Sequence, residues 1–270
     1  MRFFVVSDVH SFYSQMMIAL EENGFEKNNS KHNLIICGDA FDRGHESVKM
    51  QNFLVEMLEQ DRLVYVCGNH EELLLQLVKE LDDIVDHIEF THHASNGTLK
   101  TFEHLTGMTL SQIKRDPEKA RKYFFNTPFV KKLLPEIVDF AEIGDFIFVH
   151  GWIPCTNNPK LAPYHINGRN YAYIENWREA DEEAWRQARW VNGQKMALIH
   201  GIVEPGKTIV CGHWHCSWGH ALSRNKNPES EYECFWGENV DFSPFKSKGI
   251  IAIDSCTAYT NKVNCITIDV

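Results

Sequence analysis

Asp39, Asp42 and Arg43 stand within Cys37-Gly38-Asp39-Ala40-Phe41-Asp42-Arg43-Gly44, directly after the apolar run Leu34-Ile35-Ile36. Carboxylates can hold a divalent cation and a guanidinium can grip a phosphate, so the stretch has the parts of a site for an anionic substrate. Read alone, Gly-Asp is an ordinary turn pair. The pattern repeats, however, at four further places. Phe3-Phe4-Val5-Val6 leads to Ser7-Asp8-Val9-His10, and Leu63-Val64-Tyr65-Val66-Cys67 leads to Gly68-Asn69-His70-Glu71. Phe146-Ile147-Phe148-Val149 leads to His150-Gly151, and Thr208-Ile209-Val210-Cys211 leads to Gly212-His213-Trp214-His215. Short apolar runs that end in carboxylate, amide or imidazole read as buried strands delivering ligands to one end of a sheet.

Asp8, His10, Asp39, Asn69, His150 and His213 make a mixed oxygen and nitrogen set. It could hold two divalent cations with Asp39 shared between them. No cysteine takes part, which argues against a structural zinc of the thiolate kind. Two cations roughly 3.5 to 4 Å apart lower the pKa of a bridging water from about 16 towards neutrality, and the hydroxide so formed is a nucleophile for phosphorus. Arg43 offers a bidentate fork to phosphate oxygens. His70, between Asn69 and Glu71, is placed to act as general acid, with Asp42 holding its imidazole protonated. The ligand set admits manganese, iron or zinc, and manganese is the expectation.

These residues need strand ends followed by helices. Met16, Met17 and Leu20 after a possible N-cap at Ser14, then Met50, Phe53, Leu54, Met57 and Leu58, predict one helix after each of the first two motifs. Leu73, Leu74, Leu75, Leu77 and Val78 predict a third directly after Asn69-His70-Glu71. Three successive βα units imply an α/β fold with its chemistry at the carboxyl ends of the strands. From about 82 to 130 the pattern turns helical and polar. His87, His92, His93 and His104 lack the strand-end setting there and read as a solvated helix face rather than a second metal site. Asn96-Gly97-Thr98-Leu99 reads as a turn into a helix at the rim of the site.

Residues 152–207 carry Trp152, Trp177, Trp185 and Trp190 with Arg169, Arg178, Arg186 and Arg189. The core of a helical cap accounts for them better than a nucleotide-stacking wall. Residues 223–248 read as a long surface excursion near the site, and Ile250-Ile251-Ala252-Ile253 and Cys265-Ile266-Thr267-Ile268 as a closing antiparallel pair. The expected organisation is one domain over residues 1–270 with cap-like insertions at about 82–130 and 152–207.

Composition sets outer bounds. A hydrophobic fraction of 43% suffices for a sizeable core, and a formal charge of -10 without a basic run argues against nucleic acid or an anionic membrane as a partner. The opening Met1-Arg2-Phe3-Phe4-Val5-Val6 is too short for a signal peptide and is ended by Asp8 and His10, so a cytoplasmic protein is expected. Its eight cysteines include no Cys-x-x-Cys pair and read as unpaired core residues.

In their order, Asp8-Val9-His10, Gly38-Asp39-Ala40-Phe41-Asp42-Arg43-Gly44, Gly68-Asn69-His70-Glu71, His150-Gly151 and Gly212-His213 resemble the calcineurin-like metallophosphoesterase superfamily. Their Asp-Arg-Gly and Asn-His-Glu endings are similar to the branch of serine/threonine protein phosphatases, their bacterial relatives and the symmetrical diadenosine tetraphosphatases. The resemblance implies a four-layer αββα sandwich and hydrolysis of phosphoesters at a dinuclear metal centre. It implies one metal on Asp8, His10 and Asp39 and the other on Asp39, Asn69, His150 and His213, with Asn69 also near the substrate. It further implies a second phosphate-binding arginine, for which Arg189 is the candidate over Arg186. His215 completes a Gly-His-x-His similar to branches in which the last histidine is a ligand, and it is expected to bind metal. Ile253-Asp254-Ser255-Cys256 is similar to the family's Ile-Asp-Thr-Gly strand and departs from it at Ser255 and Cys256.

The activity expected is hydrolysis of phosphomonoesters in the manner of a serine/threonine protein phosphatase, on a phosphorylated protein or small molecule. The alternative is a dinucleoside polyphosphate hydrolase, for which a stacking pocket of tryptophan would suit adenine. A catalytically silent scaffold would have lost ligands, and none is lost. Substrate choice is expected to lie near Asn96, Trp177 and Phe242.

Overall fold

The computed structural model describes residues 1–157, 171–224, 236 and 240–270. Strands β1 (Arg2–Val6), β2 (His32–Cys37), β3 (Leu63–Val66) and β4 (Ile137–Val138) run parallel, each beside the next. Parallel neighbours need crossovers, and helices α1 (Tyr13–Glu22), α2 (Ser47–Glu59) and α3 (Asn69–Ile84) supply those between β1, β2 and β3 and lead on from β3. The three expected βα units are therefore present, α1 and α2 starting past their ligand motifs and α3 at Asn69 within its own.

A second sheet contains β5 (Ala141–Ile143), β6 (Phe146–Phe148), β9 (Thr208–Cys211), β10 (Phe245–Ser247) and β11 (Ile250–Ala252), in the order β10-β11-β9-β6-β5. Strands β7 (Cys155–Asn157) and β8 (Tyr171–Tyr173) form a separate antiparallel pair. The last strand, β12 (Ile266–Asp269), completes the first sheet by pairing antiparallel with β1, Arg2 opposite Asp269.

That placement corrects one expectation. The two closing runs are not partners: β11 lies between β10 and β9 in the second sheet, and β12 edges the first. The burial pattern gives the reason. Ile266 and Ile268 face inward while Thr267 and Asp269 face solvent, the alternation of an edge strand with one covered face.

The two sheets pack face to face. Val5, Ile35, Cys37 and Val66 meet Phe148, Val210 and Ile253 between them. Outside the first sheet, Phe4, Leu34 and Ile36 pack under Met16, Leu54 and Leu77 of the helices. Outside the second, Ile147, Ile209 and Ile250 pack under Trp152, Trp177 and Trp185. The result is the αββα sandwich, with strands buried on both faces, which is why they appear in the sequence as unbroken apolar runs.

After α3 come α4 (His92–Ser95) and α5 (Thr98–Thr106), and Phe102 of α5 is buried in the same core as Leu54 and Leu77. Among the described residues no helix is long and apolar enough to cross a membrane. The described cysteines, Cys37, Cys67, Cys155, Cys211, Cys216, Cys256 and Cys265, are all free thiols. Arg169 and most of the expected 223–248 excursion lie outside the described residues.

Candidate metal centre and its cavity

Each candidate ligand sits where its strand ends. Asp8 and His10 follow β1, Asp39 follows β2, Asn69 and His70 open α3, and His150 and His213 lie just past β6 and β9. The chain turns there through left-handed backbone: φ is +51° at Asp8 and His10, +55° at Asp39, +58° at Arg43 and +65° at His213. Residues with a side chain rarely adopt this conformation, and it persists only where the surroundings enforce it. Close approach is the other constraint. A Cβ on Gly212 would lie 2.1 Å from Asp8 Oδ2, and one on Gly68 would lie 2.2 Å from Asp39 Oδ1.

Asp39 stands at the centre. Its Oδ2 is 3.3 Å from His150 Nε2 and 3.9 Å from Nε2 of both His10 and His70. The potential ligand atoms of His10, Asp39 and His70 lie within 4.8 Å of one another, and so do those of Asp39, His150 and His213. Asp39 belongs to both groups, the arrangement expected of a shared ligand. Nδ1 of His10 lies 2.9 Å from Phe41 O, and Nδ1 of His150 lies 2.9 Å from Cys37 O. A carbonyl only accepts, so each Nδ1 carries the proton and each Nε2 is turned inward. Asn69 Oδ1 lies 2.8 Å from His150 Nε2. Asp8 Oδ2 accepts the backbone N–H of His213 at 2.9 Å and the Ser7 hydroxyl at 2.5 Å.

The cluster is buried, Asp8, His10, Asp39, Asn69, His70 and His150 each being at most 3% exposed. Burial drives His10 well below its ordinary value, with Arg43 adding to the effect, and burial with His150 brings His213 down to about 3. Both are thus neutral imidazoles, the form that binds a metal. His150 moves the other way: burial alone would lower it, but Asp39 and Asp8 lift it to about 10. That proton marks a point where buried carboxylates demand positive charge, which a divalent cation would supply. Oxygen and imidazole donors whose rings are anchored by carbonyls fit such an ion.

The expected acid belongs to the same cluster. His70 Nδ1 is 2.8 Å from Asp42 Oδ2, and its Nε2 lies 3.3 Å from Arg43 Nη2. Burial works to lower its pKa, but Asp39 and then Asp42 outweigh burial and raise it. A cavity of about 420 Å³ opens over Asp8, His10, Asp39, Arg43, Asn69 and His70, and Trp190, Trp214 and Trp236 also line it. Trp190 is 49% exposed and packs edge-on to His213 at 5.6 Å.

His215 lines the cavity, its Nδ1 lies 2.5 Å from Ser217 Oγ, and its ring packs on Trp236 and Phe242. Arg189 is not among the residues lining the cavity; it is buried and its guanidinium is paired with Glu72 and Asp139. Trp177, expected near the substrate, is fully buried under the second sheet.

The structure also brings in residues to which the motifs assigned no role. Glu71, Trp214, Trp236, Asp254 and Cys256 contact the ligand loops or line the cavity, and Asn96, expected at the rim of the site, lines it too. Trp214 had a signal in the sequence, its place inside Gly-His-x-His. Asn96 had one in its Asn-Gly turn.

The profile of the calcineurin-like phosphoesterases matches residues 1–217. A bis(5'-nucleosyl)-tetraphosphatase (asymmetrical) of Bacillus velezensis is 29% identical over 85 residues, covering 29% of this chain and 34% of that protein. The chain thus spans about a third of that relative's length in this match. A relative of the same description from Halalkalibacterium halodurans is 29% identical over 247 residues, covering 86% of this chain and 92% of that one. The crystal structure of a cold-active protein tyrosine phosphatase superposes with a TM-score of 0.52 at 15% identity, covering 99% of this chain and 73% of that chain, a likeness of fold. Since the profile runs from the first residue through all five strand-end motifs, this chain belongs to the calcineurin-like phosphoesterase family.

Proposed function

We propose that this protein is a metal-dependent hydrolase of dinucleoside polyphosphates. The observation that carries this reading is the set of three indoles, Trp190, Trp214 and Trp236, lining the same cavity as the Asp39 cluster. An aromatic face binds a nucleobase by stacking, at about 1–3 kcal/mol per base. The tetraphosphatase relatives from Bacillus velezensis and Halalkalibacterium halodurans support the same substrate class. The preference thereby moves from the phosphomonoester expected from the sequence to its alternative.

Asp8, His10, Asp39, Asn69, His150 and His213 would hold two divalent cations, which we take to be manganese. When bound, such ions supply Lewis-acid polarisation and a water of lowered pKa. The chain's own side chains do the rest. Arg43, exposed at the cavity, grips phosphate oxygens through its planar fork. His70 gives a proton from Nε2 to the leaving oxygen while Asp42 on Nδ1 holds the ring in place. The indoles orient the base, so that the polyphosphate is drawn towards Arg43.

The test uses metal-stripped protein reloaded with manganese, with diadenosine tetraphosphate, phosphoserine and phosphothreonine peptides and an aryl phosphate as substrates and Asp39→Asn as control. Preferential cleavage of the tetraphosphate, abolished in the control, is the expected result. Preferential turnover of the peptides would overturn the reading in favour of a protein phosphatase. Absence of any cleavage would leave the fold as a scaffold.

A further inference from the structure

Three elements meet at one oxygen, Asp42 Oδ2. It lies 2.8 Å from His70 Nδ1 and accepts the hydroxyl of Thr98 at 2.7 Å. Asp42 Oδ1 is buried with no hydrogen-bond partner among the described residues, so all of the side chain's support falls on the other oxygen. The Asp42 N–H donates to Thr101 Oγ1 at 3.0 Å. Thr98 and Thr101 lie one helical turn apart on α5 and are fully buried.

The turn that starts this helix is fitted to the same loop. Gly97 has φ of +84°, and a Cβ there would lie 2.2 Å from the backbone N of Arg43 and 2.7 Å from its Cα. The two residues that follow Phe41 are therefore held by a segment outside every strand-end motif: Asp42 through two threonines, Arg43 through close contact with Gly97.

We propose that Thr98 is a positioning residue for the proton donor: its hydroxyl selects the Asp42 carboxylate orientation that aims His70 Nε2 into the cavity. The place of the oxygen that meets His70 depends on the carboxylate's choice of rotation about Cβ–Cγ. With Thr98 removed, no side-chain hydrogen bond to Asp42 other than that of His70 itself remains among the described residues to restrain it, and the imidazole can follow the oxygen as it shifts. A hydroxyl bonded to a carboxylate is charge-assisted and stronger than a neutral bond, so it can hold that choice. The segment that reads in sequence as a solvated helical insertion thus carries part of the catalytic geometry.

This inference rests on the proposed role of His70 as acid, and the experiment separates the two. The manganese-loaded full chain is assayed on 4-nitrophenyl phosphate, whose leaving group needs little proton assistance, and on phenyl phosphate, whose leaving group needs more. Wild type is compared with Thr98→Val, Thr98→Ser and His70→Asn, and metal content and urea midpoints are recorded for each. Thr98→Val should lower kcat on phenyl phosphate by about ten- to a hundredfold, less on 4-nitrophenyl phosphate, with KM little changed. Thr98→Ser, which keeps the hydroxyl, should restore most of the loss. In an Asp42→Asn background Thr98→Val should add less than about twofold, because residues acting through one contact are not additive.

Equal losses on both esters, or a serine variant no better than valine, would overturn the proposal while the acid assignment stands on His70→Asn. If His70→Asn itself loses equally on both, the acid reading and the proposal fall together. Should Thr98→Val not fold, Thr98→Ala against Thr98→Ser makes the same comparison.

Discussion

Glu71 and Asp39 are joined through the chain rather than through a metal. Glu71 Oε2 accepts the backbone N–H of Asp39 at 3.0 Å and that of Gly68 at 2.8 Å, while Oε1 accepts the N–H of Ala40 at 3.0 Å and the Tyr65 hydroxyl at 2.7 Å. One buried carboxylate therefore ties the loop after β2 to the start of α3. It holds Asp39 at its left-handed φ while leaving the Asp39 side chain free to face the histidines. Burial raises the Glu71 pKa, and the charge of Asp39 adds to this. Four donors pointing at one carboxylate offset much of the cost of burying it.

Replacing Glu71 by Gln should therefore be severe. An amide nitrogen cannot accept, so two of the four donors lose their partner, which costs roughly 2–3 kcal/mol. Tyr65→Phe removes a single donor and should cost about 1 kcal/mol. Urea unfolding of metal-free protein measures both. A Glu71→Gln loss no larger than that of Tyr65→Phe would refute the bracing role.

Gly212→Ala tests whether Asp8 must occupy its present place. The new methyl would fall 1.9 Å from Ser7 Oγ and 2.1 Å from Asp8 Oδ2, so the carboxylate has to move. Manganese affinity by titration calorimetry should drop about ten- to a hundredfold, the range seen when the surroundings of a metal ligand are disturbed. Unchanged affinity would remove Asp8 from the ligand set.

Arg189 should matter for stability and not for substrate binding. It is 6% exposed and paired with Glu72 and Asp139, so Arg189→Met leaves two carboxylates without their partner. The expected cost is about 2–3 kcal/mol, less than for a fully buried pair because Asp139 is 40% exposed. KM should stay within about twofold of wild type, since only groups that touch substrate contribute to it. A large rise in KM with normal stability would restore Arg189 as a phosphate ligand.

His93 should contribute a loss of stability on mild acidification. Burial, then the neighbouring His92, lowers its pKa below 6.5 in spite of Glu80, which lies 3.4 Å from its Nε2. A depressed folded value means that the unfolded chain binds the proton first. The neutral-ring contribution is thus complete above about 6.5 and is lost as pH falls towards the lower folded value. Between pH 8 and 5 the urea midpoint of wild type should fall relative to that of His93→Gln. Parallel slopes would show that His93 takes no part.

Much of this site could be read along the chain because each ligand directly follows a strand. Val5, Ile35, Val66, Phe148 and Val210 are buried between or within two sheets, so their strands appear as continuous apolar runs and the next polar residue is brought to the sheet's end. The placement of Asp8, His10, Asp39, Asn69, His150 and His213 just past strand ends was legible for that reason. So was the His70–Asp42 pair, since both residues belong to the same strand-end loops.

The surroundings of Arg189 and His215 and the pairing of the closing strands were not. Arg189 faces Glu72 across 117 positions of sequence, and no local pattern announces that pairing. His215 shares a motif with His213, yet the chain turns between them so that one imidazole meets His150 and the other packs on Trp236 and Phe242. The runs at β11 and β12 have equal claim to pair with each other when only composition is known. Residues 253–265 between them carry the chain from one sheet to the other.

By itself the sequence determined which side chains could meet a cation, because strand period and burial are local properties that place the residue after each run at a sheet's end. Tertiary structure alone decided what surrounds them. Thr98 reaches Asp42 across 56 positions, and Trp190, Trp214 and Trp236 gather at one cavity only when the second sheet closes on the first. Such contacts form because packing brings distant surfaces together, and no periodicity along the chain encodes which surfaces those will be.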